Sequence, residues 1–200
     1  MDFHHSLAFG GGVGFVTAFW VSYAACVGAE LYWNATLQPK ERSGADRGSY
    51  LILVISGNIA FALDFASVLF LPSQAMASAK VPMFVAGVLL EWIGLALRGY
   101  AIRTLGRRFT VQVRAVESQG IVTAGPYRYV RHPSYTGSLL IGSGIALALG
   151  NWLGLVVVVA TLSAGFAYRI AVEERALAST LGAPYRDYMR RTWRVMPGLV

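Results

Sequence analysis

Two short clusters hold the side chains best suited to chemistry: Arg131-His132-Pro133-Ser134-Tyr135-x-Gly137, and further along Arg169 with Glu173 and Glu174. Each sits against the end of a segment apolar enough to cross a bilayer. Charge at that depth is costly, and chains carry it where a ligand or an ion partner meets it. The combination points to an enzyme working at a membrane surface. Pro133 suits the first turn of a helix, because the N–H it lacks would have no partner there. Two readings of this cluster stay open. One is a plain helix start with interfacial aromatics. The other is a polar-ligand pocket, lined by the free N–H groups of that helix start with His132 and Tyr135.

Arg169 and Glu173 are four residues apart and share a helical face. They form a structural ion pair, or they divide the work, with Arg169 clamping an anionic substrate and Glu173 taking a cationic group. Glu174 points elsewhere, to solvent or to a hydrogen bond with the preceding loop.

The elements that must position these groups follow from composition. Of the 200 residues, 56% are hydrophobic and 14% charged. That is more apolar surface than a soluble protein of this size can hide. Lipid must be the solvent for most of the chain. Runs of about 20 apolar residues mark spans, and five are expected: Leu7–Glu30, Tyr50–Leu71, Val81–Ile102, the short Tyr135–Leu149, and Trp152–Val172. The last two form a hairpin through Gly150-Asn151. The expected fold is an all-α integral membrane protein, a single membrane domain over 1–200, with a cytoplasmic loop at 103–134 and a C-terminal interfacial segment at 173–200. No period-2 pattern recurs, which disfavours a barrel.

All of the 17 lysines and arginines except Lys80 fall in the first loop, the third loop with the helix end before it, or the tail. That bias places the N-terminus outside and the C-terminus in the cytoplasm, at the inner membrane if the chain is bacterial. The net charge is +7. Its charges lie between apolar runs and form no stripe on a soluble face, so they speak for membrane lipids and against nucleic acid. Cys26 is the only cysteine, and the histidines are His4, His5 and His132. None has zinc-site spacing, so no metal is expected. The first apolar stretch is too long for a signal peptide and lacks its basic lead, so it stays in the mature chain. Gly10-x-x-x-Gly14, Gly150-x-x-x-Gly154 and Gly142-Ser143-Gly144 read as close helix packing, since none follows a strand or carries a phosphate-loop lysine.

Asp64 and Glu91 fall inside spans. A polar cavity, mutual pairing with a shared proton, and adhesion between helices all remain open for them. The tail around Tyr185, Tyr188 and Trp193 alternates aromatics with arginines, as a segment lying on anionic lipid does. The alternative for this tail is a cap over the site.

From about Gly106 to Pro197 the chain resembles the isoprenylcysteine carboxyl methyltransferase family, on Val111-Gln112, Gly120-Ile121-Val122-Thr123-x-Gly125-x-Tyr127, the His132 and Glu173 clusters, and Gly182-x-x-Tyr185-x-x-Tyr188. The His-Pro-x-Tyr element alone is shared with phospholipid methyltransferases and sterol reductases. The resemblance implies S-adenosylmethionine as cofactor and a lipophilic prenylated-cysteine-like substrate. By it, Gln112, Gln119, Gly120, Ile121, Val122, Tyr127, His132, Pro133, Ser134, Tyr135 and Glu173 contact the cofactor, and Arg169 holds the substrate carboxylate. Five spans match the short prokaryotic members. Gln119 stands where a histidine is usual, and the two glutamates replace a longer acidic run. Competing readings are a methyltransferase for phospholipid amines or other small lipophiles, an NADPH-dependent sterol-type reductase, and a non-catalytic membrane subunit.

Overall fold

The computed structural model describes residues 12–37, 46, 48–106, 109 and 120–198. In hydrocarbon every backbone N–H and C=O must find its partner within the structure, which drives long apolar runs into helix. The α-helices among the described residues are α1 (Val13–Leu37), α2 (Ser49–Phe70), α3 (Lys80–Leu105), α4 (Pro133–Leu149), α5 (Trp152–Leu181) and α6 (Ala183–Arg191). No strand occurs among those residues, only the isolated bridges Ala75–Asn151 and Val130–Trp193.

By length and composition, α1, α2, α3 and α5 can cross a membrane, and α4 is shorter, with 17 residues. At about 1.5 Å per residue α4 reaches about 26 Å, short of the roughly 30 Å hydrocarbon thickness. Two boundaries differ from the sequence reading. α1 runs on to Leu37 instead of ending at Glu30, and α5 continues past Val172 to Leu181. The extension of α5 is rich in Glu, Arg, Ala and Leu, strong helix formers that need no apolar run to stay helical. Glu173 and Glu174 therefore stand on a continuous helix.

Small residues bring α3 and α4 into backbone contact, as they do between helices in lipid. A Cβ at Gly94 would lie 2.6 Å from the Gly137 carbonyl oxygen, and one at Gly144 would lie 2.6 Å from the Gly87 carbonyl oxygen. Gly14, by contrast, has nothing within 4 Å of a notional Cβ, so close packing does not account for it. α2 lies along α5, and α1 packs on α3. One core cluster joins Phe19, Cys26, Phe84, Ile145 and Leu149; a second joins Ala60, Ala146, Val158, Leu162 and Phe166. Leu51, Val81, Ile93 and Val156 remain exposed on the outer faces, where lipid solvates apolar side chains.

Gly150, in the left-handed conformation at φ 73°, turns α4 into α5, a conformation that glycine adopts without steric cost. The next residue, Asn151, is buried and ties this end of the bundle together. Its Oδ1 accepts from Leu153 N at 3.0 Å and Gly154 N at 3.2 Å, capping α5. Its Nδ2 donates to the Ser67 and Leu71 carbonyls at 3.0 and 3.1 Å, at the C-terminal end of α2, where each carbonyl also accepts a backbone amide. Asp64 and Glu91 are both fully buried, but they do not pair with each other. Glu91 accepts from Ser22 Oγ at 2.5 Å. Asp64 abuts Gly154, and among the described residues neither of its oxygens takes a hydrogen bond.

Candidate functional site

The other end of the bundle gathers the two clusters. Pro133 opens α4 and His132 stands at its N-cap. The His132 ring, itself buried, stacks on Tyr135 with centroids 5.4 Å apart and planes 9° from parallel. Tyr135 packs on Phe166 of α5 at 5.1 Å. This contact holds the phenol in the gap between α4 and α5.

Tyr135 then joins the two residues whose relation the spacing left open. Its hydroxyl donates to Glu173 Oε2 at 2.6 Å and accepts from Arg169 Nε at 3.2 Å. His132 Nδ1 stands 3.8 Å from the same Glu173 oxygen. The Glu173 side chain keeps 28% exposure, and its other oxygen takes no hydrogen bond among the described residues, leaving an accessible negative charge. Arg169 is buried, and its NH1 donates to Ser49 Oγ at 2.7 Å and to Asp46.

Of the two readings left open for Glu174, the hydrogen bond to the preceding loop is the one the structure shows. The side chain is buried, and it accepts from Arg131 Nε at 2.8 Å and Arg194 Nε at 3.2 Å, with His132 Nε2 at 3.3 Å. Arg131 NH1 donates to the Met189 and Thr192 carbonyls. Such a carboxylate stays buried only because its oxygens meet cationic donors. The chain after α6 is held down by backbone bonds too: Arg131 N to Trp193 O at 2.7 Å, His132 N to Arg194 O at 2.9 Å, and Trp193 N to Tyr129 O at 2.9 Å. The tail thus straps the entrance to α4, while Arg186, Arg190 and Arg191 stay exposed on α6. It lies across the entrance to the site and leaves a basic face of α6 exposed.

Tyr127, in the 3-10 turn Gly125–Arg128, is buried, and its carbonyl accepts from the Tyr188 hydroxyl at 2.7 Å. Burial pushes both phenols up, Tyr188 to about 12, so both stay protonated. Gly120, at φ 46°, and Ile121 and Val122 lead without regular secondary structure towards this turn, the last two half-buried. Gln112 and Gln119 lie outside the described residues. Ser134 accepts through Oγ from Arg98 NH1 at 2.7 Å, which links α4 to α3.

A cavity of about 360 Å³ opens between the helices beside Tyr135 and Arg169. Phe61, Ile141, Leu162 and Phe166 line its apolar part; Glu30, Asn34, Arg98, Tyr135 and Arg169 line its polar part. Asp46, Ser49, Glu30 and Arg98 are site residues the sequence reading did not single out. Arg98 was legible only as one of the orienting charges, Glu30 only as the end of a span. Asp46 reaches Arg169 across 123 positions of sequence, and no local pattern signals such a contact.

Fold and site define a class: a helical integral membrane protein with its polar centre at one end of the bundle, opening onto an apolar cavity. Comparison with known proteins narrows this. The family model described as phospholipid methyltransferase matches residues 82–183. A probable protein-S-isoprenylcysteine O-methyltransferase of Oryza sativa subsp. japonica is 31% identical over 150 residues, covering 72% of this chain and 78% of the relative. Protein-S-isoprenylcysteine O-methyltransferase B of Arabidopsis thaliana is 36% identical over 107 residues, 52% of this chain and 54% of that protein. The structure of the eukaryotic intramembrane Ras methyltransferase ICMT superposes with a TM-score of 0.60 at 28% identity, covering 73% of this chain and 52% of that one. The chain belongs to the isoprenylcysteine carboxyl methyltransferase family. It spans about half the length of the Arabidopsis relative it matches and of the solved structure.

Proposed function

We propose that the chain is an S-adenosylmethionine-dependent methyltransferase acting on the carboxylate of a lipid-embedded, prenylcysteine-like acceptor. One observation carries the reading: the Tyr135 hydroxyl touches Arg169 at the head of an apolar cavity and Glu173 on its other side. A cation-binding carboxylate and an anion-binding guanidinium are thereby held one phenol apart.

The residues present fit the cofactor. It carries an ammonium and a sulfonium, and Glu173 offers a partly exposed carboxylate oxygen without a partner among the described residues. The stacked rings of His132 and Tyr135 add an aromatic wall beside it, a surface that attracts cations. By the family resemblance Gly120, Ile121, Val122, Tyr127, Pro133 and Ser134 would line the cofactor's side of the site, together with Gln112 and Gln119, which lie outside the described residues. When bound, the cofactor would supply an activated methyl group that a carboxylate oxygen can accept without help from a general base. No proton has to move, because a carboxylic acid is already ionised near pH 7. This accords with the surroundings of Tyr135, where His132 is engaged by Glu174.

The protein's part is then positioning and exclusion of water. Arg169, oriented by Tyr135, Ser49 and Asp46, presents a planar fork that suits a carboxylate. The cavity takes the prenyl tail, which enters sideways from lipid. The site end faces the cytoplasm, with the N-terminus outside.

The test is a labelled-methyl assay on the purified chain, with S-farnesylcysteine analogues and a phospholipid amine as acceptors. Ester formation on the former supports the reading. Methylation of the amine alone, or tight binding of NADPH in place of S-adenosylmethionine, overturns it.

A further inference from the structure

One surface takes no part in the chemistry proposed above, yet it carries most of the exposed charge among the described residues. Five arginines stand exposed on the turn before α4, on α6 and on the strap: Arg128, Arg186, Arg190, Arg191 and Arg194. Asp187 is the one exposed acid among the described residues, and it lies 3.3 Å from Arg190 NH2. α6 meets the bundle with its other face. Tyr185 is buried there, and Tyr188 donates to the Tyr127 carbonyl at 2.7 Å. Arg186, Arg190 and Arg191 are thereby turned away from the protein.

The path of the chain sets the depth of this surface. α5 continues about 13 Å beyond Val172, and α6, with 9 residues, spans about the same length. The far end of α6 returns to the start of α4, where Arg131 NH1 donates to the Met189 carbonyl at 2.7 Å and Arg131 N to Trp193 O at 2.7 Å. In the first turn of α4, Tyr135 meets Glu173, where the apolar part of α5 ends. Arg190, Arg191 and the strap therefore lie level with the rim of the membrane. Tyr129, Trp193 and Met196 are exposed beside them. A face that met only water would have no use for these side chains, whereas aromatics among arginines suit a segment seated at headgroup depth.

We infer that α6 and the strap seat on anionic lipid headgroups around the bundle, with the arginines at the phosphates and Tyr129, Trp193 and Met196 dipping beneath them. The inference does not depend on methyl transfer. An acidic protein segment would meet the arginines equally well, but it would leave the apolar side chains in water. Each arginine near an anionic surface favours the seated state about fivefold, so Arg190 and Arg191 together favour it about twenty-five-fold.

The test places a nitroxide at Met196→Cys in the full chain; Cys26 is buried and leaves the added thiol to be labelled alone. The protein is reconstituted in phosphatidylcholine vesicles with and without phosphatidylglycerol. Accessibility of the label to oxygen and to a water-soluble nickel chelate reports its depth. With phosphatidylglycerol the label should become oxygen-accessible and chelate-shielded, the ratio of seated to unseated protein rising about tenfold or more. Salt at about 1 M, where the screening length is about 3 Å, should reverse the change. Arg190→Gln with Arg191→Gln, both at exposed positions, should remove most of it. A label at one depth in both kinds of vesicle overturns the inference, as does a shift that survives salt or the paired substitution. Poly-glutamate that shields the label in phosphatidylcholine as fully as phosphatidylglycerol does would assign the surface to an acidic protein segment, and overturns it too.

Discussion

Removing a single oxygen tests the centre of the site. In Tyr135→Phe the ring keeps its contacts with His132 and Phe166, so α4 and α5 should stay in place. What goes is the hydroxyl that bonds Glu173 at 2.6 Å and Arg169 at 3.2 Å. Hydrogen bonds to charged groups contribute about 1.5–3 kcal/mol each. The two bonds differ in what replaces them. Glu173, at 28% exposure, can recover a donor from water. Arg169, at 2% exposure, cannot, and its Nε is left without the acceptor that orients the fork. Taking one unreplaced bond as the net loss, kcat/KM should fall between about tenfold and a hundredfold. Because the hydroxyl serves both sides, apparent affinity for acceptor and cofactor should both weaken. The assay is steady-state methyl transfer with each ligand varied in turn, alongside thermal unfolding in detergent. Wild-type kcat/KM in a folded Tyr135→Phe protein would refute the bridging argument. So would a loss that appears wholly as a lowered Tm.

Further substitutions probe the neighbouring contacts. Arg169→Lys keeps the charge but loses the fork, and should raise the acceptor KM by about tenfold or more in the same assay while the cofactor KM changes little. Glu174→Gln leaves Arg131 buried without its counter-ion, a change that costs about 3–5 kcal/mol where a buried pair is broken. Its readout is faster tryptic cleavage after Arg190, Arg191 and Arg194, since the tail strap is anchored there; an unchanged digestion rate would contradict the assigned anchor. Gly94→Ala pushes a methyl against the Gly137 carbonyl and should destabilise by about 1–3 kcal/mol. Gly28→Ala, with nothing within 4 Å, should be neutral, and equal unfolding temperatures for the two would contradict the close approach of α3 and α4.

Helices were easy to read in the sequence because hydrocarbon admits little else, and the apolar runs announce where they lie. Their ends were harder. α1 carries on through Tyr32, Trp33 and Asn34, and α5 through Glu173 to Leu181, because helix propensity and hydropathy part company at a membrane edge. Within the site, His132–Tyr135 and Arg169–Glu173 were legible from local spacing, and the structure brings them together. The phenol that joins them was legible as a residue but not as a link. Asp46, Ser49, Glu30 and Arg98 come from helices or loops far away in sequence, and only the packing of α1, α2 and α3 on the C-terminal pair gives them a role. Glu174 makes the hydrogen bond to the loop that the sequence left open as one alternative, and the added contact with Arg194 of the tail had no local signal.

Asn151 serves the carbonyls of one helix and the amides of another with a single side chain. Every polar backbone group it touches is occupied, so α2 and α5 have little freedom to separate at that extremity. At the opposite extremity Arg169 of α5 donates to Ser49 at the start of α2 and to Asp46 just before it. Any parting of the two helices should therefore pivot on Asn151. Spin labels placed along both helices should record a widening that grows with distance from that asparagine.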